Sequence, residues 1–164
     1  IEGRDLMIAR ILAGKCDRVI DVGAGSGKWG RLLKGKVGHL TALEIWPPTT
    51  AKYVPFDPYD EIIITDARRF RGWDQYDVAI FGDVLEHMER EAALQVIEWL
   101  KASGIRAFVT IPISKCEQDG TVYGNPFETH VEQWTHEEMT AAGFRLLHRG
   151  MNEAGTVEIG TYEL

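Results

Sequence analysis

Apolar positions recur along the chain in two alternating rhythms. Arg18–Val22 (RVIDV), His39–Ile45 (HLTALEI), Glu61–Thr65 (EIIIT), Tyr76–Phe81 (YDVAIF) and Ile105–Ile111 (IRAFVTI) are short runs rich in β-branched and aliphatic residues. Bounded by turn formers, such runs predict strands. Between them Leu6–Ala13, Lys28–Lys34 and Glu89–Ala102 read as helices. In the last, Ala93, Val96, Ile97 and Leu100 fall at i, i+3, i+4 and i+7, one buried stripe, and Ser103-Gly104 ends it. Thr135–Ala142 is a further helix, with Thr135 as N-cap and Glu138 three residues on, a capping box. Phe144–Arg149 and Thr156–Tyr162 close the chain as two strands around the turn Met151–Gly155.

Strands alternating with helices predict a doubly wound α/β fold, a parallel sheet with helices on both faces. The closing pair is joined by a short turn and must run antiparallel. The expected sheet is therefore seven-stranded and mostly parallel, with an antiparallel C-terminal hairpin. Ligands bind beyond the C-terminal strand ends of such sheets, which places the chemistry just after Val22, Ile45, Thr65, Phe81 and Ile111.

Composition narrows this. With 164 residues the chain has the length of one domain. Its 18 Lys and Arg against 25 Asp and Glu leave a net charge of −7, which argues against a general duplex-DNA binder. No apolar run approaches the roughly 18–20 residues of a membrane helix, and no leader pattern is present, so a cytoplasmic protein is expected. Cys16 and Cys116 form neither a CxxC nor a zinc ladder, which suits a reducing compartment. Ile1-Glu2-Gly3-Arg4 spells a protease-cleavage linker, so residues 1–4 are assigned no function and 5–164 form the single domain.

The strongest chemical signal is Asp21-Val-Gly23-Ala-Gly25-Ser-Gly27-Lys-Trp-Gly30. Glycines between a strand and a helix let backbone approach a ligand and leave helix N–H groups free. Glu44 ends the next strand, where a carboxylate can accept both hydroxyls of a ribose. Asp66 follows the third strand, where it can accept from an adenine amino group. A literal GxGxxG at Gly25–Gly30 keeps an NAD-linked oxidoreductase open. Counted from Gly23, however, the spacing is GxGxG, and the acid at Asp21 suits an ammonium better than a pyrophosphate.

At these residues the chain resembles class I S-adenosylmethionine-dependent methyltransferases over about Cys16 to Leu164. VIDVGAGSGKWG looks like their first motif, ALEIW their second, ITDAR the adenine-contacting segment and FGDVLEH the fourth-strand motif. EIWPP, YDEIIITDAR, GDVLEHM and YGNPFETHVEQWT together resemble a compact bacterial and phage group. The resemblance implies a Rossmann-like methyltransferase fold. It also implies that Asp21, Gly23 and Gly25 line the methionine end, with Ala24, Gly27 and Trp29 also cofactor-binding. Glu44 would hold the ribose, with Ile45 also cofactor-binding, Asp66 and Ala67 would flank the adenine, and Gly82 and Asp83 would close the pocket. A non-catalytic cofactor-binding partner subunit is the alternative of a different class.

A second constellation is Asp83-x-x-Glu86-His87, joined by His130. Residues three and four apart share a helix face, and carboxylates with imidazoles suit Mg²⁺, Mn²⁺ or Zn²⁺. The pattern resembles the small-RNA 3′-terminal 2′-O-methyltransferases, in which a metal gathers two ribose hydroxyls. There a Glu stands where this chain has Asp83. His130 and His87 are the candidate catalytic residues, and without a metal His130 could act as a base. Trp46–Asp60, rich in proline and aromatics, and Pro112–Trp134 must hold the acceptor. Asn125-Pro126-Phe127 lacks the second proline of the amino-methylating DNA enzymes and follows the wrong strand, which disfavours DNA methylation. The expectation is methyl transfer to a small-molecule or saccharide- or ribose-like acceptor, with an RNA end less favoured, by a monomer or homodimer.

Overall fold

The computed structural model describes residues 2–51 and 57–164, with the side chains of Glu2, Val122 and Tyr123 left out. The elements are α1 (Glu2–Leu12), β1 (Arg18–Val22), α2 (Lys28–Leu33), β2 (His39–Glu44), α3 (Pro47–Thr50), β3 (Glu61–Ile64), β4 (Val78–Gly82), α4 (Arg90–Ser103), β5 (Arg106–Pro112), α5 (His136–Ala141), β6 (Arg145–Met151) and β7 (Glu158–Glu163). The seven strands form one sheet in the order β3-β2-β1-β4-β5-β7-β6. β1 pairs in parallel with β2 and β4, β2 with β3, and β4 with β5. β7 inserts antiparallel between β5 and β6. The mostly parallel α/β sheet with its antiparallel C-terminal strands is the expected architecture.

Alternation along each strand splits the core between the two faces. On one face Ile20, Val22, Ala79, Phe81, Ala107 and Val109 pack with the α4 stripe Ala93, Val96, Ile97 and Leu100. On the other, Val19, Leu40, Val78, Ile80 and Phe108 meet Met7 and Ile11 of α1 and Trp29 and Leu33 of α2. Burying each large aliphatic side chain stabilises by about 1.5–3 kcal/mol. Packing rather than propensity therefore holds helices as short as α2 and α5. Gly104 ends α4 in the left-handed region, and the capping box at Thr135 is formed in both directions.

Two segments depart from the expected reading, and part of a third lies outside the described residues. α1 begins at Glu2 rather than Leu6, so residues 2–4 belong to a packed helix. A Cβ on Gly3 would sit 2.7 Å from Thr161 Oγ1. Part of Trp46–Asp60, residues 52–56, including Tyr53, Pro55 and Phe56, lies outside the described residues. The long polar segment after β5 carries two 3₁₀ turns, Gly120–Tyr123 and Pro126–Glu128. Among the described residues no helix is long and apolar enough to cross a membrane.

Candidate active site

The site is assembled at the C-terminal ends of β1, β2, β3 and β4. After Val22 the chain turns through Gly23, Gly25 and Gly27, all with positive φ (62°, 55° and 78°). A Cβ on Gly23 would stand 2.7 Å from Val84 Cγ2, so glycine is required there by conformation and by space. The turn is tied to its neighbour strand: Gly23 N–H donates to the Leu43 carbonyl (2.8 Å). Glu44 accepts Gly25 N–H on Oε2 and Trp46 N–H on Oε1, both at 3.0 Å. Each oxygen keeps a free lone pair, so this buried carboxylate can still take two hydroxyls.

A cleft with an empty volume of about 620 Å³ opens over this turn. Gly23, Glu44, Ile45, Asp66, Ala67 and Asp83 line it, with Phe127 from the loop after β5. Phe127 stands 5.9 Å from the Trp46 ring, centroid to centroid. Ala24, Gly25, Trp29 and Gly82 line an adjoining cavity of about 1040 Å³, and Asp83, His87 and Glu128 border both. Asp21 and Gly27 line neither space. Asp21 lies beneath the glycine turn, 1 % exposed, and its Oδ2 accepts the Tyr59 hydroxyl. Its Oδ1 has no partner among the described residues. Burial pushes its carboxyl up to about 7, against the Tyr59 hydrogen bond. Asp66 is gripped by Arg68, whose guanidinium approaches to 2.7 Å. Burial works to raise Asp66, but the Arg68 hydrogen bonds outweigh it and hold the carboxyl below the usual range.

The second constellation forms differently from its expected helical face. Asp83 has φ 58°, Leu85–His87 is a 3₁₀ turn, and α4 starts only at Arg90. Glu86, His87 and His130 each offer a ligand atom within 4.8 Å of the others, and Asp83 stands outside that set. Two backbone hydrogen bonds bring His130 in. Val131 and Glu132 N–H both donate to the Glu86 carbonyl (3.0 and 3.1 Å). Arg90 clamps the same segment, bonding Glu132 (2.9 Å) and the Gln133 carbonyl (2.7 Å). Its guanidinium also lies 4.3 Å above the Trp134 ring.

The imidazoles are oriented by backbone. His87 Nδ1 meets the Thr129 carbonyl at 3.0 Å and His130 Nδ1 the Cys116 carbonyl at 2.7 Å. A carbonyl only accepts, so each Nδ1 carries a proton, and in the neutral ring Nε2 is the nitrogen with the lone pair. Burial lowers the His87 pKa, which favours that neutral form. Glu86 is 2 % exposed, and neither carboxylate oxygen has a partner among the described residues. Burial, reinforced by Asp83, raises its carboxyl well above the usual range. Burial raises Asp83 as well, opposed by Lys28 and His87. A ring nitrogen of each imidazole and a Glu86 carboxylate oxygen without a partner among the described residues form a donor set for a divalent cation. The roles of Tyr59 and Arg90 had no local signal, since each depends on a partner far along the chain; Arg68 stands in the ITDAR segment, but its grip on Asp66 is set by the folded turn.

Comparison with known proteins agrees with this architecture. No curated protein matches the chain. Among solved structures, a protein from Pyrococcus horikoshii OT3 superposes with TM-score 0.68 at 18% identity, over 99% of this chain and 88% of that one. Magnesium protoporphyrin IX methyltransferase from Synechocystis PCC 6803, with bound SAH, gives 0.67 at 18%, over 99% and 82%. The methyltransferase domain of a bacterial Hen1 (CtHen1-CN) gives 0.68 at 18%, over 99% and 98%. At such identity these likenesses show the fold. A family model described as a methyltransferase domain matches residues 5–149, which decides for methyl transfer and against the hydride-transfer reading of the same glycines. The chain thus belongs to the methyltransferase-domain family, as a class I S-adenosylmethionine-dependent methyltransferase.

Proposed function

We propose that this methyltransferase acts on an oxygen of a small acceptor with neighbouring hydroxyls, saccharide- or ribose-like, assisted by a divalent cation on Glu86, His87 and His130. The observation that carries the reading is the buried Glu86 carboxylate, unpartnered beside two imidazoles whose Nδ1–H groups are already committed. An unpaired buried carboxylate is costly, and a cation would relieve it. Two nitrogen donors favour Mn²⁺ or Zn²⁺ over Mg²⁺.

In this reading Glu44 and Ile45 hold the ribose of S-adenosylmethionine, Asp66 and Ala67 the adenine, and the Gly23–Gly25 turn the methionine end. That ligand supplies the electrophilic methyl, and the cation would favour the ionised form of an acceptor hydroxyl. The chain's own contribution is position. Asp83 and His87 border both cavities, where methyl and acceptor would meet. The acceptor cavity is lined by Asp83, Glu86 and Glu128, with Lys28 the one Lys or Arg lining it among the described residues, which favours a small acceptor over a polyanionic RNA end. Magnesium protoporphyrin IX and 1,6-didemethyltoxoflavin name the acceptors of two fold neighbours, so the fold alone does not choose one. The two free thiols support a cytoplasmic setting as part of this reading.

Thermal unfolding with S-adenosylhomocysteine, with and without Mn²⁺ or Zn²⁺, tests the reading. Each ligand at 100 times its Kd should stabilise by about 2.7 kcal/mol, and Glu86→Gln and His130→Ala should each abolish the metal increment alone. Stabilisation by S-adenosylhomocysteine with no metal increment in the wild type would overturn the cation and leave His130 Nε2 as a metal-free base.

A further inference from the structure

Asp66 stands two residues beyond β3, on the wall of the cofactor cleft, and its own neighbour already engages it. Arg68 donates its backbone N–H and Nε to Oδ1 (2.9 and 3.0 Å). It also donates Nε and Nη2 to Oδ2 (2.9 and 2.7 Å). A carboxylate has about four acceptor positions, and here one residue supplies all the contacts. Both side chains line the cleft, but unequally. Asp66 is 18% exposed and Arg68 is 42% exposed, so the guanidinium can swing into water while the carboxylate stays.

We infer that Arg68 is a specificity-determining residue that competes with the adenine amino group for the Asp66 carboxylate, so that the adenosyl ligand binds by displacing the guanidinium. This rests on the reading of Asp66 as the adenine acceptor. The competition has a chemical consequence. An amino group on the purine is a donor and can replace one Arg68 N–H directly. A purine with a carbonyl at that place presents an acceptor to a carboxylate and is repelled. Arg68 offers several N–H groups in one plane and can bridge the carboxylate and such a carbonyl. The wild-type pair therefore tolerates a hypoxanthine base that a bare Asp66 would reject, and it charges the adenine ligand for displacing the arginine. A partly exposed ion pair is weak, so the effect is a bias in affinity rather than a block.

Calorimetric titration of S-adenosylhomocysteine and S-inosylhomocysteine into wild type, Arg68→Met, Arg68→Lys and Asp66→Ala separates the possibilities. Arg68→Met should tighten the adenosyl ligand about fivefold, the scale of a partly exposed ion pair, and weaken the inosyl ligand. Its adenosyl-to-inosyl preference then rises, with Arg68→Lys falling between. Asp66→Ala should bring the preference towards one. If Asp66→Ala keeps the wild-type preference, the adenine role of Asp66 fails. If Asp66→Ala collapses it but Arg68→Met leaves it unchanged, or weakens both ligands equally, the competition is overturned and Arg68 is a packing residue.

Discussion

Asp21→Asn should change stability in a pH-dependent way that reverses sign. The Asp21 carboxyl is fully enclosed, holds the Tyr59 hydroxyl, and is pushed from an ordinary 3.8 to about 7. At about 1.4 kcal/mol per pH unit, that gap is worth about 4 kcal/mol. The sign follows from proton counts. Between pH 3.8 and about 7 the folded protein keeps a proton that the unfolded chain has released. Wild-type stability therefore falls as pH rises through this window and is level above it. The variant lacks that slope. Its carbonyl can still accept from Tyr59, but the new amide N–H₂ takes the Oδ1 side, which has no hydrogen-bond partner among the described residues. That costs about 1–3 kcal/mol at every pH. The variant should thus be less stable than wild type near pH 4 and more stable by about 1–3 kcal/mol at pH 8. Urea unfolding of both proteins across this range measures the difference directly, because every other group titrates in both. Parallel pH profiles would refute the reasoning, since they would mean that Asp21 is charged and compensated in the fold.

Two further substitutions test the packing of the site. Gly82→Ala should destabilise by about 1–3 kcal/mol, because its Cβ would collide with the Trp29 indole, which α2 holds rigidly; unfolding at unchanged denaturant midpoint would show that the indole gives way. Arg90→Ala should cost only about 1–2 kcal/mol of stability, because its ion pairs with Glu132 and Glu138 are partly exposed. It should nevertheless weaken Mn²⁺ binding about tenfold by loosening the segment that carries His130, with Arg90→Lys partly restoring it; undiminished affinity would assign the whole task to the hydrogen bonds on the Glu86 carbonyl.

The sequence by itself determined what depends on local spacing. Short runs of β-branched and aliphatic residues between turn formers marked the strands, and the i, i+3, i+4, i+7 stripe of α4 marked the helix that covers one face. Glycines at fixed offsets from Asp21 marked the turn, and Thr135 with Glu138 marked a cap. Each signal is written within a few residues, because backbone sterics and one-sided burial act over that range. The parallel body and the antiparallel closing pair followed too, from strand–helix alternation and the short last turn, but the strand order came from the fold. Tertiary structure alone decided partnerships across long separations or in irregular backbone. Asp83-x-x-Glu86-His87 read as a helical face, yet the left-handed Asp83 and the 3₁₀ turn remove Asp83 from the cluster and leave Glu86 and His87 to meet His130. That meeting depends on two N–H groups finding the Glu86 carbonyl and on Arg90 holding the loop, neither of which has a periodic trace. The same holds for Tyr59 beneath the glycine turn and Arg68 on Asp66. A carboxylate's residue type shows that it can bind, but its available lone pairs, and hence its ligand, depend on neighbours that only the folded chain brings to it.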